Sequence, residues 1–202
     1  VNYFGFPQKI VELKKLCKKY KLKIIEDNSH GYGGLLNNEI LGSRGNFGFS
    51  SPRKVFKVNS GGILYYENKV TFNLPKYKYT INNTLTNLLN KNFKLKTFIK
   101  KNLIFKKDFT VPMVNRDTVV YNMNIDDSSL KKLRKQNIIK EKNKRYVNYL
   151  IWKKYLLKYN FKPIFKEVDK NLMIWCLPFY VKNSKDAKNW FLWGYKKGIT
   201  IF

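Results

Sequence analysis

Four polar side chains in the first 60 residues have the types and spacing to do chemistry. In KIIEDNSHGYGG, residues 23–34, the apolar pair Ile24-Ile25 runs into two adjacent carboxylates, Glu26 and Asp27. His30, the single histidine of the chain, follows three residues after Asp27, ahead of three glycines within four positions. Farther along, SSPRK carries Ser51 and Lys54, and Gly61-Gly62 opens the apolar run ILYY. In an α/β sheet, ligands gather at the carboxyl ends of strands. A carboxylate placed there can hold a cation or a protonated heterocyclic nitrogen. A lysine leaving a proline turn toward the same edge is partly desolvated, which lowers its pKa and makes it an imine-forming nucleophile.

Asp27 and Lys54 taken together are the minimum protein chemistry for pyridoxal phosphate (PLP). The carboxylate keeps the ring nitrogen protonated, so the ring can accept electrons as a Cα proton leaves. The lysine then shuttles that proton as base and acid. Each residue also has a plainer structural reading. Asp27 can cap a loop, His30 can be a packing residue, and Lys54 can be one more solvated charge. Ser50-Ser51-Pro52 can be an ordinary turn, and Gly61-Gly62 an ordinary hairpin.

The elements that would position these groups follow from the pattern. Ile10, Leu13, Leu16, Cys17 and Tyr20 recur at helical spacing, so residues 8–20 read as a surface helix with its lysines solvated and Pro7 in the first turn. Leu22 to Glu26 reads as a short buried strand. Helix then strand is half of a βαβ unit and favours a parallel sheet. Residues 31–50 read as a glycine-rich loop with a small hairpin at Asn37-Asn38, then a strand near 46–50. Ser51 to Lys54 is a turn, and Gly61-Gly62 turns into another strand. Residues 76–118 show little period, with a helix suggested by Leu85, Leu88 and Leu89. Residues 128–158 read as strongly helical. Strands follow near 163–168 and 172–181, the latter broken by Pro178, then a helix at 184–196 and a strand from Ile199 to Phe202. The last block resembles a small α+β domain, with a boundary near 118–128.

Composition narrows the function class. A chain of 202 residues that is 44% hydrophobic has enough apolar material for one medium domain or two small ones. The formal net charge of +28 invites a nucleic-acid or anionic-membrane partner. Arginine is scarce beside lysine, however, and the lysines are spread along the whole chain rather than clustered. Cys17 and Cys176 lack metal-ligand spacing and read as free thiols, and one histidine argues against a zinc site. No apolar run is long enough to span a bilayer.

The order FG at 4–5, a helix, KIIEDNSHGYGG, LGSRGNFGFSSPRK and NSGGILYY resembles the DegT/DnrJ group of PLP-dependent nucleotide-sugar aminotransferases. Residues 1–68 carry the likeness in order. Residues 128–202 carry it more loosely, through Arg145 and Asn148 on a helix and the GITI start of a last strand. The resemblance implies that Asp27 pairs with the pyridine nitrogen, that His30 sits near the phenolic oxygen where the family usually has Gln, and that Lys54 bonds to the cofactor aldehyde. It assigns Ser51 to the phosphate, with Ser50 the competing choice, and no metal. The family's Asp before Gly-Gly is Ser60 here. Relatives that act as sugar dehydratases have His at the lysine position, so Lys54 favours transamination.

The implied fold is α/β: part of the large domain of a fold type I PLP-dependent transferase over residues 1–120, then a small α+β C-terminal domain over 121–202. The chain reads as the middle and late part of a larger enzyme, inactive alone. Implied partners are a nucleotide-linked keto sugar and an amino donor such as glutamate. The implied setting is a cytoplasmic homodimer in surface-polysaccharide or related amino-sugar synthesis, with no nucleic acid and no membrane span. The competing readings are a basic nucleic-acid-binding module and an inactive remnant of the fold.

Overall fold

The structure is a computed structural model that describes residues 1–66, 74–75, 124–199 and 201. Val1–Val70 and Asp127–Phe202 pack as one unit, and Thr71–Asp126 form another. Within the second, Asn124 donates to the carbonyls of Pro75 and Leu74 at 3.0 and 3.1 Å. The helix expected around Leu85 lies outside the described residues. All that follows concerns the first unit.

A mixed three-stranded sheet positions the candidate residues. Strand β1 (Ile25–Asn28) pairs in parallel with β4 (Phe47–Ser50), which pairs antiparallel with β5 (Ile63–Tyr66). A parallel pair needs a crossover. Here the chain crosses over through a loop containing the hairpin β2 (Leu35–Leu36) and β3 (Glu39–Ile40). Asn37 and Asn38 turn it with φ of 50° and 65°, the left-handed pair that a two-residue hairpin needs. The loop then lies directly on the sheet: a methyl on Gly48 would meet the Gly42 carbonyl oxygen at 1.7 Å.

Strand alternation gives the sheet two unlike faces. Glu26, Asn28, Gly48 and Ser50 point inward and are buried. Ile25, Phe47, Phe49, Leu64 and Tyr66 point outward and remain exposed, sharing their face with the half-buried Asp27. Helix α1 (Ile10–Lys19) precedes β1. Helices α2 (Asp127–Arg134), α3 (Ile138–Lys158) and α4 (Ser184–Lys197) follow the second unit. Asn137 and Asn183 cap α3 and α4, their side chains accepting from Lys140 N–H and Asp186 N–H at 2.9 Å. Gly198, at φ 71°, ends α4 in the left-handed conformation. The core forms where the inner face of α3 meets both ends of the chain: Tyr149 packs with Phe6, Leu41, Leu172 and Ile174. The Phe6 and Phe165 rings stack at 3.8 Å.

Several expected elements differ from those observed. The first strand begins at Ile25 rather than Leu22, and Ile25 is 65% exposed instead of buried. The inward positions belong to the polar Glu26 and Asn28, which inverts the expected pattern. Pro7 lies ahead of α1 rather than in its first turn. Of the apolar face expected to bury α1, Cys17 alone is buried, and Leu13, Leu16 and Tyr20 are exposed. Residues 128–158 divide into two helices at Lys135–Asn137. The strands expected at 163–168 and 172–181 shrink to β6 (Lys162–Pro163) and β7 (Phe179–Tyr180). Residues 171–175 instead bond to separate segments, with Leu35 N–H donating to the Asn171 carbonyl and Trp175 N–H to that of Phe4. Neither Ile199 nor Ile201 lies in a strand, and Thr200 and Phe202 lie outside the described residues. Ile199 N–H closes α4 on the Gly194 carbonyl.

Candidate functional site

The opening carboxylate pair splits by strand alternation. Glu26 turns inward, where its Oε2 accepts the Arg44 N–H and its Oε1 the Arg44 side chain, at 2.8 and 2.5 Å. Asn2 donates to the same carboxylate at 2.8 Å. Burial acts to raise the Glu26 pKa, but the hydrogen bonds from Arg44 and Asn2 outweigh it and hold the carboxyl below its ordinary value. Glu26 is thus a structural anchor for the end of the glycine-rich loop, where Arg44 leads into β4.

Asp27 turns the other way. Its Oδ1 accepts the Ser29 N–H at 2.8 Å, which tightens the turn after β1. That turn carries His30, whose Nδ1 accepts the Phe4 N–H at 3.1 Å. An imidazole whose Nδ1 accepts is neutral and carries its hydrogen on Nε2. Burial, then the nearby Lys54 charge, lower the His30 pKa, against the pull of Asp27.

Lys54 ends a 3-10 turn, Pro52–Lys54, that leaves β4 directly. Proline at the first position pre-sets that turn, and Lys54 N–H closes it on the Ser51 carbonyl at 3.1 Å. The lysine is half-buried. Desolvation lowers its pKa first, Asp27 opposes, and Arg53 adds to the lowering. Its Nζ lies 5.7 Å from the centre of the Trp175 ring, a cation–π distance. The same indole stacks on His30 at 4.3 Å.

Asp27, His30 and Lys54 are therefore neighbours, although they come from a strand, its following turn and a second strand's exit. Ser51 stands on the lysine's own turn, half-buried, and makes no side-chain cap bond to it. Ser50 faces inward at 2% exposure, where its hydroxyl accepts from Asn28 Nδ2 at 3.1 Å and bonds to Tyr65.

Residue patterning missed Trp175, Asn28 and the role of Arg44. Asn28 is fully buried and donates to the Gly31 and Leu41 carbonyls at 3.0 and 2.8 Å as well as to Ser50. It ties the strand, the glycine turn and the lysine-bearing strand together. An amide placed in register with the inward Glu26 was the signal for it. Trp175 had no such signal, since the segment carrying it reads as a plain strand. Cys17 and Cys176 are free thiols, and burial pushes the Cys176 thiol up to about 11, which makes it inert as a nucleophile at neutral pH. No helix among the described residues is long and apolar enough to cross a membrane.

Residues 1–76 match the DegT/DnrJ/EryC1/StrS aminotransferase family. All four candidate residues lie inside the matched stretch, and the mixed α/β arrangement there fits a fragment of such an aminotransferase. No solved structure matches the chain.

Proposed function

We propose that this chain is part of a PLP-dependent aminotransferase that moves an amino group, from a donor such as glutamate, onto the keto group of a nucleotide-linked sugar. The observation that carries the reading is Lys54: a half-buried amine of lowered pKa, beside the Asp27 carboxylate and the neutral His30, under the Trp175 ring. The donor set fits the cofactor. Asp27 is an anion for a protonated ring nitrogen, and Lys54 is an amine for an aldehyde. Ser51 is a hydroxyl for a phosphate, and the engagement of Ser50 with Asn28 and Tyr65 supports it over its neighbour. When bound, PLP supplies the electron sink that lets an amino acid lose its Cα proton.

The side chains then divide the labour. Asp27 would hold the ring nitrogen's proton in place. Lys54 Nζ takes a proton from the substrate carbon and returns it, a task suited to an amine whose pKa is drawn toward neutrality. His30 offers its Nε2–H as a donor while Phe4 fixes its ring. Trp175 excludes water above Lys54. A homodimer, a cytoplasmic setting and a place in surface-polysaccharide synthesis complete the proposal.

The test is selective trapping. Brief borohydride reduction at limiting PLP should fix the cofactor on the peptide carrying Lys54 ahead of every other lysine, because a larger fraction of that amine is unprotonated. Preferential labelling of any other lysine sinks the assignment.

A further inference from the structure

Lys54 and Trp175 reach the site from opposite ends of the chain, and one side chain bonds to the backbone beside both. Arg145, on α3, donates from Nη2 to the Val55 carbonyl at 3.2 Å and from Nη1 to the Ile174 carbonyl at 3.0 Å. Val55 directly follows Lys54, and Ile174 directly precedes Trp175. Both carbonyls belong to buried residues, where an unpaired acceptor is costly. The remaining Nε donates to Glu141 Oε1 at 2.8 Å, one turn earlier on the same helix, which fixes the plane of the guanidinium. A planar fork serves two acceptors from two segments at once, whereas an ammonium is a single point charge on a flexible stem.

We infer that Arg145 is the positioning residue of this site: by bridging the lysine-bearing turn to the tryptophan-bearing segment, it sets Trp175 over Lys54. The inference rests on the reading of Lys54 as the reactive lysine. Four groups face that amine: the Asp27 carboxylate from β1, His30 from the following turn, Arg53 on its own turn, and the Trp175 ring. Of these, Trp175 is the one whose preceding carbonyl, that of Ile174, Arg145 holds, while the Trp175 N–H donates to the Phe4 carbonyl. Loosening the bridge lets the indole move away and water reach Nζ, while Asp27 and Arg53 stay where β1 and the turn put them.

The experiment needs no cofactor. Lysines of the 202-residue chain are pulse-labelled with an amine-acylating reagent from pH 7 to 10, and the Lys54 peptide is followed by mass spectrometry. In the unaltered chain Lys54 should react at lower pH than the pooled surface lysines. Arg145→Lys keeps the charge but loses the fork, and should slow Lys54 labelling at pH 8 severalfold, moving its profile toward that of the surface lysines. Arg134→Lys, on the exposed face of α2, should leave the profile unchanged. Arg145→Gln provides a second variant, and circular dichroism reports folding for all. An unchanged Lys54 profile in a folded Arg145 variant overturns the inference. So does loss of folding in both variants, which would make Arg145 a general scaffold residue. Borohydride trapping with PLP on the unaltered chain is the separate arm. If the profile shifts but PLP does not select Lys54, the positioning role stands and the aminotransferase reading falls.

Discussion

Glu26 sits inside the sheet with almost no water to solvate it, and Arg44 keeps it charged. Their side chains are 4% and 3% exposed, so the pair is buried in full. Replacing a buried ion pair outright can be harmless, but removing one partner strands the other charge. Glu26→Gln should therefore destabilise the fold by about 3–5 kcal/mol, read as a lower urea midpoint at pH 7. The pH dependence follows from the depressed carboxyl. A group whose folded pKa is lowered contributes stability above its ordinary value of 4.5, and that contribution is lost as pH falls through the folded value. The gap between the native chain and the Gln variant should thus be full at pH 7 and narrow progressively below pH 4.5. Equal stability of the two at pH 7 would show that the pair contributes nothing.

The connection that crosses from β1 to β4 is held by a contact with no slack. Gly48 lies under the Gly42 carbonyl, and Gly42 itself is at φ 98°, so neither backbone can yield cheaply. Gly48→Ala should cost about 3 kcal/mol and pull the lysine-bearing strand out of register. Gly62→Ala provides the contrast, since its new methyl would meet the Ser50 carbonyl at an ordinary 3.7 Å and should cost under about 1 kcal/mol. Urea denaturation of both variants checks the pair; similar costs would mean that the crossover loop is not seated on the sheet. Elements of this kind were legible in sequence where local chemistry dictates them. Asn37-Asn38 can turn only one way between two short strands, and Gly61-Gly62 opens β5 as expected. The helix expected at 184–196 is observed as α4. What was not legible depends on partners distant in the chain. The inward Glu26 and Asn28 defeat an apolar-alternation reading because Arg44, Asn2 and Ser50 satisfy them. Residues 171–175 look like a strand but bond to Leu35 and Phe4 instead, and so the placement of Trp175 over Lys54 could not be read from its own neighbourhood.

At the scale of the molecule, the candidate groups divide unevenly over the cofactor they are proposed to hold. Asp27 and Lys54 address the ring nitrogen and the aldehyde. The phosphate, the largest charge on PLP, is left with Ser51 alone among the candidates. Tight phosphate sites draw on several backbone N–H groups at once, at a helix N-terminus or in a nest of turns. A single hydroxyl donates one hydrogen bond and carries no charge. The outward sheet face of Ile25, Phe47, Phe49, Leu64 and Tyr66 is exposed as well, and it is the face that Asp27 shares. A half-buried anion beside that exposed face is partly screened by water, which weakens its hold on a ring cation. The 202-residue chain by itself should therefore bind PLP with a dissociation constant well above the micromolar range and show no aminotransferase turnover, while still directing the little that binds to Lys54. Spectrophotometric titration of the purified chain with PLP, followed by assay with glutamate and a keto sugar, measures both quantities. Saturation at low micromolar PLP together with turnover would show that this chain carries a complete phosphate cradle, and that groups other than Ser51 supply it.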